Sequence, residues 1–291
     1  MNGSASLKSL AERIRCSFML EFSWSKKDKN NVPVMSAKEM DELAEMLIED
    51  YKPALVKEAQ PINYEHFLEV YLGVNLQYLD ITADETILGM TAFDDGRVQV
   101  YDNELGREKS IEITEGSVII DNHLLASHKI GRLRFTALHE GGGHWWCHRG
   151  VYASNKGQLS FDFTNNKHKQ SVIKCRVNSV ENFAYRRHST SEDWMEYQAD
   201  YMASAIAMPK TPFKVVAEQI LNHAGIRNKG IVMGLDAETD LFAKQEFPCL
   251  IADVFKVSRQ AAEIKLKNFG YIKDIKTVKT IKHEILQYTF F

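Results

Sequence analysis

The segment from Arg134 to Arg149, RFTALHEGGGHWWCHR, constrains the fold more than any other part of the chain, because it places metal-binding side chains side by side in a helical context. His139 and Glu140 are adjacent, and His144 follows five residues after His139. Two histidines four residues apart lie about 40° apart around a helix axis and can face one ion. At a spacing of five residues the separation in a regular helix is about 140°, so the pair would lie on different faces. A metal site here therefore requires a distorted helix.

The residues between the histidines are Gly141, Gly142 and Gly143. A π-bulge accommodates one extra residue in a single widened turn, and glycine is the residue least hindered in a strained turn. Each glycine costs about 1 kcal/mol against alanine in a regular helix. Three in succession therefore favour a local distortion that returns His144 to the face of His139. The alternative is a loop that ends the helix after Glu140.

A third ligand is provided by the segment MEYQAD, in which Glu196 and Asp200 are four residues apart on a predicted helix. A hydrolytic zinc site takes three protein ligands and keeps one position for water. One carboxylate can bind the metal while the other accepts the free N–H of a ligand histidine. The alternative is that the two acids form a solvated helix face. His148, four residues after His144, is an alternative ligand, although that pairing would leave Glu140 badly placed as a general base.

The segments before the motif predict an α+β fold. A helix begins after Ser36, which forms a capping box with Glu39, and a second helix runs from about Asn63 to Gly73. A small, mainly antiparallel sheet is then predicted by the segments VNLQYLDI, ILGMTAF, RVQVYD and IEITEGSVIID. Asp95-Gly96, between the second and third segments, is a typical hairpin turn.

Helices and one further hairpin are predicted for the rest of the chain. The motif itself is predicted to be helical from about Gly131 to His148. The alternating segment GQLSFDFTNNKHKQSVIKCRV predicts a hairpin within an insertion at about 150–190. A helix follows and ends at Pro209, and the remainder is helical and more basic.

Composition excludes several classes of function. The net charge of −3 gives no general attraction to nucleic acid or to anionic membranes. The first residues contain no long uncharged apolar core, which argues against a signal peptide, and no apolar run approaches the ~20 residues that span a bilayer. The four cysteines form no C-x-x-C pair. We therefore expect a cytoplasmic protein with reduced thiols.

Several spaced motifs together resemble the ImmA/IrrE-type zinc metallopeptidases of mobile elements and bacterial stress regulation, a gluzincin-like family. The resemblance covers roughly residues 36–270. It rests on Arg134-Phe135-Thr136, His139-Glu140, Gly143-His144, Glu196, Ala199-Asp200, Ala203 and Met208-Pro209. The extra residue makes the motif H-E-x-x-G-H, which is similar to the motif of dipeptidyl peptidase III-like enzymes.

The resemblance implies that His139, His144 and Glu196 hold zinc, that Glu140 is the general base and that Asp200 supports a ligand histidine. It implies a zincin-like packing of the sheet on the metal-binding helix. The expected organisation is a partly flexible lead-in at 1–35, a peptidase domain at 36–209 and a helical region at 210–291. The expected activity is cleavage of a helix-turn-helix transcriptional repressor in the cytosol.

Two other functions remain open from the sequence. The same fold can act as a non-catalytic regulator that docks a repressor. Alternatively, the helix-turn-helix-like segment VFKVSRQAAEIKLKNFG binds DNA through its basic residues Lys256, Arg259, Lys265 and Lys267. The resemblance favours protein as the partner, with no direct contact to nucleic acid and none to a membrane.

Overall fold

The computed structural model describes residue 24 and residues 26–156, 172–176, 190–227 and 230–275. Internal contacts divide the chain into two units. The first comprises Met1–Pro53 and Ile62–Ala207, and the second comprises Ala54–Pro61 and Met208–Phe291. The division after Ala207 lies two residues from the expected boundary at 209. The assignment of Ala54–Pro61 to the second unit has no counterpart in the sequence prediction.

The first unit contains helix α1, Ala37–Tyr51, and its capping box is present as predicted. Ser36 accepts a hydrogen bond from the backbone N–H of Glu39, whose carboxylate accepts one from the N–H of Ser36. Apolar residues at helical spacing form the buried face of the helix, which includes Met40, Leu43, Leu47 and Ile48. Helix α2, Ala54–Lys57, belongs to the second unit.

The second predicted helix is present, but it is not regular. Asn63 caps α3, Tyr64–His66, and the helix continues as a π-helix over Phe67–Tyr71. Gly73 follows with a φ of 70°, a conformation that favours glycine, and ends the helix where the sequence predicted.

The main sheet of the described residues is mixed and has four strands. Its strands are β1 (Asn75–Leu79), β2 (Ile87–Ala92), β5 (Ser117–Asp121) and β6 (Val172–Arg176), in the order β1-β5-β2-β6. Strand β1 runs parallel to β5, whereas β2 is antiparallel to both β5 and β6. The small sheet agrees with the expected α+β class, and its parallel pair was not predicted.

The hairpin predicted at Asp95-Gly96 is wrong. Strands β3 (Gly96–Asp102) and β4 (Arg107–Ile113) pair with each other, while β2 pairs within the main sheet. Asp95 instead accepts a hydrogen bond from the backbone N–H of Glu115. The β3–β4 hairpin then packs on the main sheet through a cluster of apolar side chains: Ile87, Met90, Val98, Val100, Ile113 and Ile119.

The predicted single strand IEITEGSVIID is two strands. Gly116 has a φ of 82° and separates β4 from β5. Its backbone N–H donates to the carbonyl of Ala92, and a Cβ there would lie 3.2 Å from the ring of Trp145. The glycine therefore turns the chain from the hairpin into the main sheet.

A long helical stretch carries the motif. It consists of α4 (Ile130–Leu138), a π-helix (His139–Trp145) and α5 (Trp146–Lys156). It therefore continues into the region where an inserted hairpin was expected. Strand β6 is the second half of that predicted hairpin, and it pairs with β2. The first half, residues 157–163, lies outside the described residues.

Helix α6, Ser191–Ala207, completes the first unit and packs across the π-helix that carries the motif. Thr190 caps its beginning, since the backbone N–H of Asp193 donates to the Thr190 hydroxyl and the N–H of Thr190 donates to the Asp193 carboxylate. Met208-Pro209 follows its end, as predicted.

The second unit is mainly helical. It contains α7 (Lys210–His223), α8 (Ala237–Leu241) with a π-helical continuation over Phe242–Glu246, α9 (Phe247–Phe255) and α10 (Arg259–Asn268). Two short parallel strands, β7 (Ile231–Met233) and β8 (Ile272–Asp274), pair beside them. None of the helices within the described ranges is long and apolar enough to cross a bilayer.

Candidate metal centre

The motif helix widens into a π-helix over His139–Trp145, and all seven residues are buried. The imidazole rings of His139 and His144 lie 4.7 Å apart between centroids at an interplanar angle of 81°. The five-residue spacing therefore brings the two rings together, and this is the widened segment that the sequence predicts in place of a loop.

Glu196 on α6 joins the two histidines. Its Oε2 lies 3.7 Å from His139 Nε2, and its Oε1 lies 3.5 Å from His144 Nε2. Each residue offers one donor atom, and the three atoms lie within 4.8 Å of one another. Tetrahedral bonds of about 2.0–2.2 Å place donors about 3.3 Å apart, so the arrangement needs little adjustment to hold a metal ion.

The surroundings of the His144 Nε2 atom also favour a metal ion at this position. His144 Nε2 is buried and has no hydrogen-bond partner among the described residues. A buried polar atom without a partner costs free energy of about 1–3 kcal/mol. A metal ion bound by the imidazole nitrogen removes that cost, since the lone pair becomes a metal bond.

Asp200, one helical turn after Glu196, lies behind His139. Its Oδ1 is 2.9 Å from His139 Nδ1, and the side chain is nearly buried. With Nδ1 against Asp200, the other ring nitrogen, Nε2, lies on the side of Glu196. The structure therefore places Glu196 and Asp200 on one face of α6, with Glu196 beside the Nε2 atoms of the two histidines and Asp200 beside Nδ1 of His139.

His148 stands behind His144 instead of joining the group of three. Its Nδ1 lies 3.3 Å from His144 Nδ1, and its Nε2 lies 3.0 Å from Gln198 Oε1. Burial, and then the neighbouring His144, lower the pKa of His148 to about 3, so the imidazole is neutral at neutral pH. The alternative in which His148 acts as a ligand is therefore not the arrangement found.

The three glycines serve close packing. None of them has a positive φ. A Cβ at Gly143 would lie 2.6 Å from the Cα of Ala199, and one at Gly142 would lie 2.7 Å from Ile206 Cδ1. The sequence suggested strain in the turn as the reason for the glycines, whereas the structure shows that Gly142 and Gly143 let α6 approach the motif helix and that Gly141 lies against Leu68.

Glu140 is fully buried beside strand β2. Thr91 donates a hydrogen bond to its Oε2, and the same hydroxyl lies 3.1 Å from the Glu140 carbonyl oxygen. Burial raises the pKa of Glu140, while His139, His144 and the Thr91 hydroxyl act in the opposite direction. A Cβ at Gly89 would lie 2.9 Å from Glu140 Cγ, so the glycine makes room for this side chain.

Sequence reasoning did not identify Gly89, Thr91 or Gln198. Gly89 and Thr91 are buried positions on β2 and face the motif helix two residues apart. A glycine inside a strand is the one signal that marks a close approach of this kind. Gln198 lies inside MEYQAD, where a buried amide is not distinguishable from a surface one by sequence.

The basic residues of the helix-turn-helix-like segment are mostly engaged within the second unit. Lys265 is buried, with its Nζ 5.1 Å from the ring centre of Phe269. Lys267 pairs with Glu263 at 2.6 Å, and Arg259 donates to the Lys244 carbonyl. Of the four basic residues, Lys265 is withdrawn from the surface, whereas Lys256, Arg259 and Lys267 are exposed.

No protein-family model matches the chain, and no curated protein matches it at a significant level.

Proposed function

We propose that the chain is a zinc-dependent endopeptidase with a zincin-like active site. The observation that carries the proposal is the buried group of His139, His144 and Glu196, with donor atoms within 4.8 Å of one another, next to the buried carboxylate of Glu140. Two imidazole nitrogens and one carboxylate oxygen are a ligand set of catalytic zinc sites, and a glutamate directly after the first histidine is the base that such a site uses for hydrolysis. Three protein ligands are also the number found in catalytic zinc sites, where one position stays open.

When bound, zinc supplies Lewis acidity, which lowers the pKa of water and polarises a peptide carbonyl. Glu140 is the general base of the proposed reaction. It takes a proton from the attacking water and delivers it to the leaving amine. The Thr91 hydroxyl holds Oε2 of Glu140, while Oε1 is buried and has no hydrogen-bond partner among the described residues. Oε1 is therefore the atom available for proton transfer.

The proposed substrate is a helix-turn-helix repressor of a mobile element or a stress response, cleaved in the cytoplasm. This part of the proposal rests on the resemblance in sequence, whose matched motifs lie between Arg134 and Pro209. The competing function is a non-catalytic regulator of the same fold that docks a repressor without cutting it.

Metal analysis and a glutamine substitution test the proposal together. The wild-type protein should contain one zinc per chain. Glu140→Gln should retain that zinc, because the residue is not a ligand, and should cut candidate repressors about 10²-fold more slowly. Glu42→Gln, an exposed change on α1, is the matched control and should match wild type in both measurements.

The outcomes separate the two functions. If Glu140→Gln cuts as fast as wild type, the assigned base is wrong. If wild type binds zinc and a repressor tightly but cuts none of the candidates, the non-catalytic regulator is the better description. If wild type binds no zinc, the proposed metal site is wrong.

A further inference from the structure

We propose that His148 and Gln198 are positioning residues that hold His144 with its proton on Nδ1, so that its Nε2 is free to bind metal. The inference rests on the proposed metal site, and it assigns a role to two buried side chains outside the group of three. His144 Nδ1 lies 3.3 Å from His148 Nδ1, His148 Nε2 lies 3.0 Å from Gln198 Oε1, and the Gln198 amide lies 2.5 Å from the carbonyl oxygen of Pro33.

The direction of the hydrogen bonds from His144 through His148 and Gln198 is set at the Pro33 carbonyl. The Pro33 carbonyl can only accept a hydrogen bond, so the amide nitrogen of Gln198 faces it and Oε1 faces His148. Oε1 also only accepts, so His148 carries its proton on Nε2. His148 Nδ1 is then an acceptor, and the proton between the two imidazoles belongs to His144 Nδ1.

Exchanging the donor and acceptor roles in this series of hydrogen bonds is unfavourable at each bond. A flipped Gln198 amide would place two oxygens 2.5 Å apart with no hydrogen between them. A proton on His148 Nδ1 instead of Nε2 would leave its Nε2 and Gln198 Oε1 as two acceptors facing each other. All three side chains are fully buried, so water does not compensate for a lost partner.

The Pro33 carbonyl is itself held in place. Lys27 and Pro33 form an antiparallel bridge, and the side chain of Asp28 accepts hydrogen bonds from the backbone N–H groups of Asn30 and Val32. Asp28 also accepts a hydrogen bond from Ser191 at the start of α6. Residues 27–33, which belong to the lead-in expected at 1–35, therefore hold the end of the hydrogen-bond series that leads to His144.

These hydrogen bonds place the His144 proton on Nδ1 in the metal-free protein, which leaves Nε2 free to bind a metal ion. Neutral imidazole free in water favours the tautomer with the proton on Nε2, and that proton would block the atom that faces Glu196. His139 has the corresponding support from Asp200, at 2.9 Å from its Nδ1. Each of the two histidines thus has its own partner behind it, the Asp200 carboxyl group for His139 and the His148 imidazole for His144.

The experiment uses the full chain with ¹⁵N-labelled histidine and the variant Gln198→Met, which keeps the length of the side chain and removes the amide. Long-range ¹H–¹⁵N spectra of the metal-free protein report which nitrogen of His144 is protonated, with the signal assigned from His144→Ala. Zinc affinity is measured by competition with a chelating dye. Gln219→Met, the same change at an exposed position on α7, is the matched control.

We expect wild type and Gln219→Met to show the His144 proton on Nδ1. Gln198→Met should shift it toward Nε2 and weaken zinc binding by about 10- to 100-fold. If Gln198→Met does not fold, Gln198→Asn, which withdraws the amide by one methylene, should give the same two changes.

The inference is overturned if wild-type His144 carries its proton on Nε2, or if removal of the amide changes neither the tautomer nor the affinity. Suppose that wild type shows the Nδ1 proton and Gln198→Met loses it, but neither protein binds zinc. The role of His148 and Gln198 in placing the proton is then upheld, and the proposed metal site is wrong. The tautomer measurement needs no metal, so the two failures are distinguishable.

Discussion

Substituting Gly143 by alanine should damage the metal centre without touching a ligand. The added Cβ would lie 2.6 Å from Ala199 Cα, 2.8 Å from Ala199 Cβ and 2.8 Å from the Ala199 carbonyl oxygen. Ordinary carbon contacts need about 3.5–4.0 Å, so α6 must move away from the motif helix by about 1 Å. Unlike a side chain, the backbone of α6 has no alternative rotamer that relieves the contact.

The displacement reaches the metal site because α6 carries Glu196. The separations of Glu196 from His139 and His144, now 3.7 and 3.5 Å, would widen to about 4.5 Å, whereas tetrahedral zinc needs about 3.3 Å. Zinc affinity should fall by at least the ~10- to 100-fold that loss of a supporting partner costs. Overpacking costs about 1–3 kcal/mol, partly offset by about 1 kcal/mol from the helix preference of alanine. The net loss in the free energy of unfolding is up to about 2 kcal/mol.

Two other glycines supply the controls. A Cβ at Gly142 would lie 2.7 Å from the flexible end of Ile206 and at an ordinary 3.9 Å from the Phe67 ring, and one at Gly150 on α5 would meet nothing within 4 Å. Urea unfolding of the metal-free proteins and zinc competition titrations should therefore rank Gly143→Ala as the most damaged and Gly142→Ala as intermediate. Gly150→Ala should be equal to wild type or more stable. Equal zinc affinity and equal stability for Gly143→Ala and Gly150→Ala would refute the steric argument.

Three further outcomes are expected. Thr91→Val removes a hydroxyl that lowers the pKa of Glu140, so that pKa should rise. The acidic limb of the pH–rate profile for cleavage should then move to higher pH. An acidic limb at the same pH as that of Thr91→Ser, which keeps the hydroxyl, would contradict this. A chelator should lower the melting temperature of wild type by about 5–10 °C, if zinc at ~100 times its Kd contributes about 2.7 kcal/mol, and should leave His144→Ala unchanged in a calorimetric scan. Deletion of Gly142 restores H-E-x-x-H and leaves Gly143 against Ala199, so elemental analysis should still find zinc, and its loss would show that the widened turn is indispensable.

The parts of the fold that depend on local interactions were predictable. The capping box of Ser36 and Glu39 involves neighbours in sequence, and the apolar stripe of α1 fixes which face is buried. The widened turn was predictable for a related reason, because the requirement that two histidines face one ion leaves a regular helix no solution at a spacing of five.

Pairings between distant segments were not predictable in the same way. Asp95-Gly96 has the sequence of a hairpin turn, yet β2 pairs with β5 and β6, because the apolar faces of the β3–β4 hairpin and the main sheet are buried against each other. Thr91 and Gly89 belong to the same category. Their importance comes from a strand that meets Glu140 some 50 residues later in the chain, and no local pattern records that contact.

The inserted residue and the glycines together bring the side chains of His139, His144 and Glu196 close to one another. A π-bulge holds one extra residue in a single turn, so α4 before it and α5 after it keep the faces that they would present in a regular H-E-x-x-H helix. His139 belongs to the start of the widened turn and His144 to its end, which is why their rings meet at 4.7 Å despite the longer spacing. Gly142 and Gly143 then allow α6 to cross close to the widened turn, with backbone contact at Ala199. That close crossing is what lets one α6 side chain, Glu196, reach both histidines. A metal ion requires suitably placed donor atoms and not a fixed number of residues between the histidines, and the variant motif brings three donor atoms together with a wider turn and a closer helix.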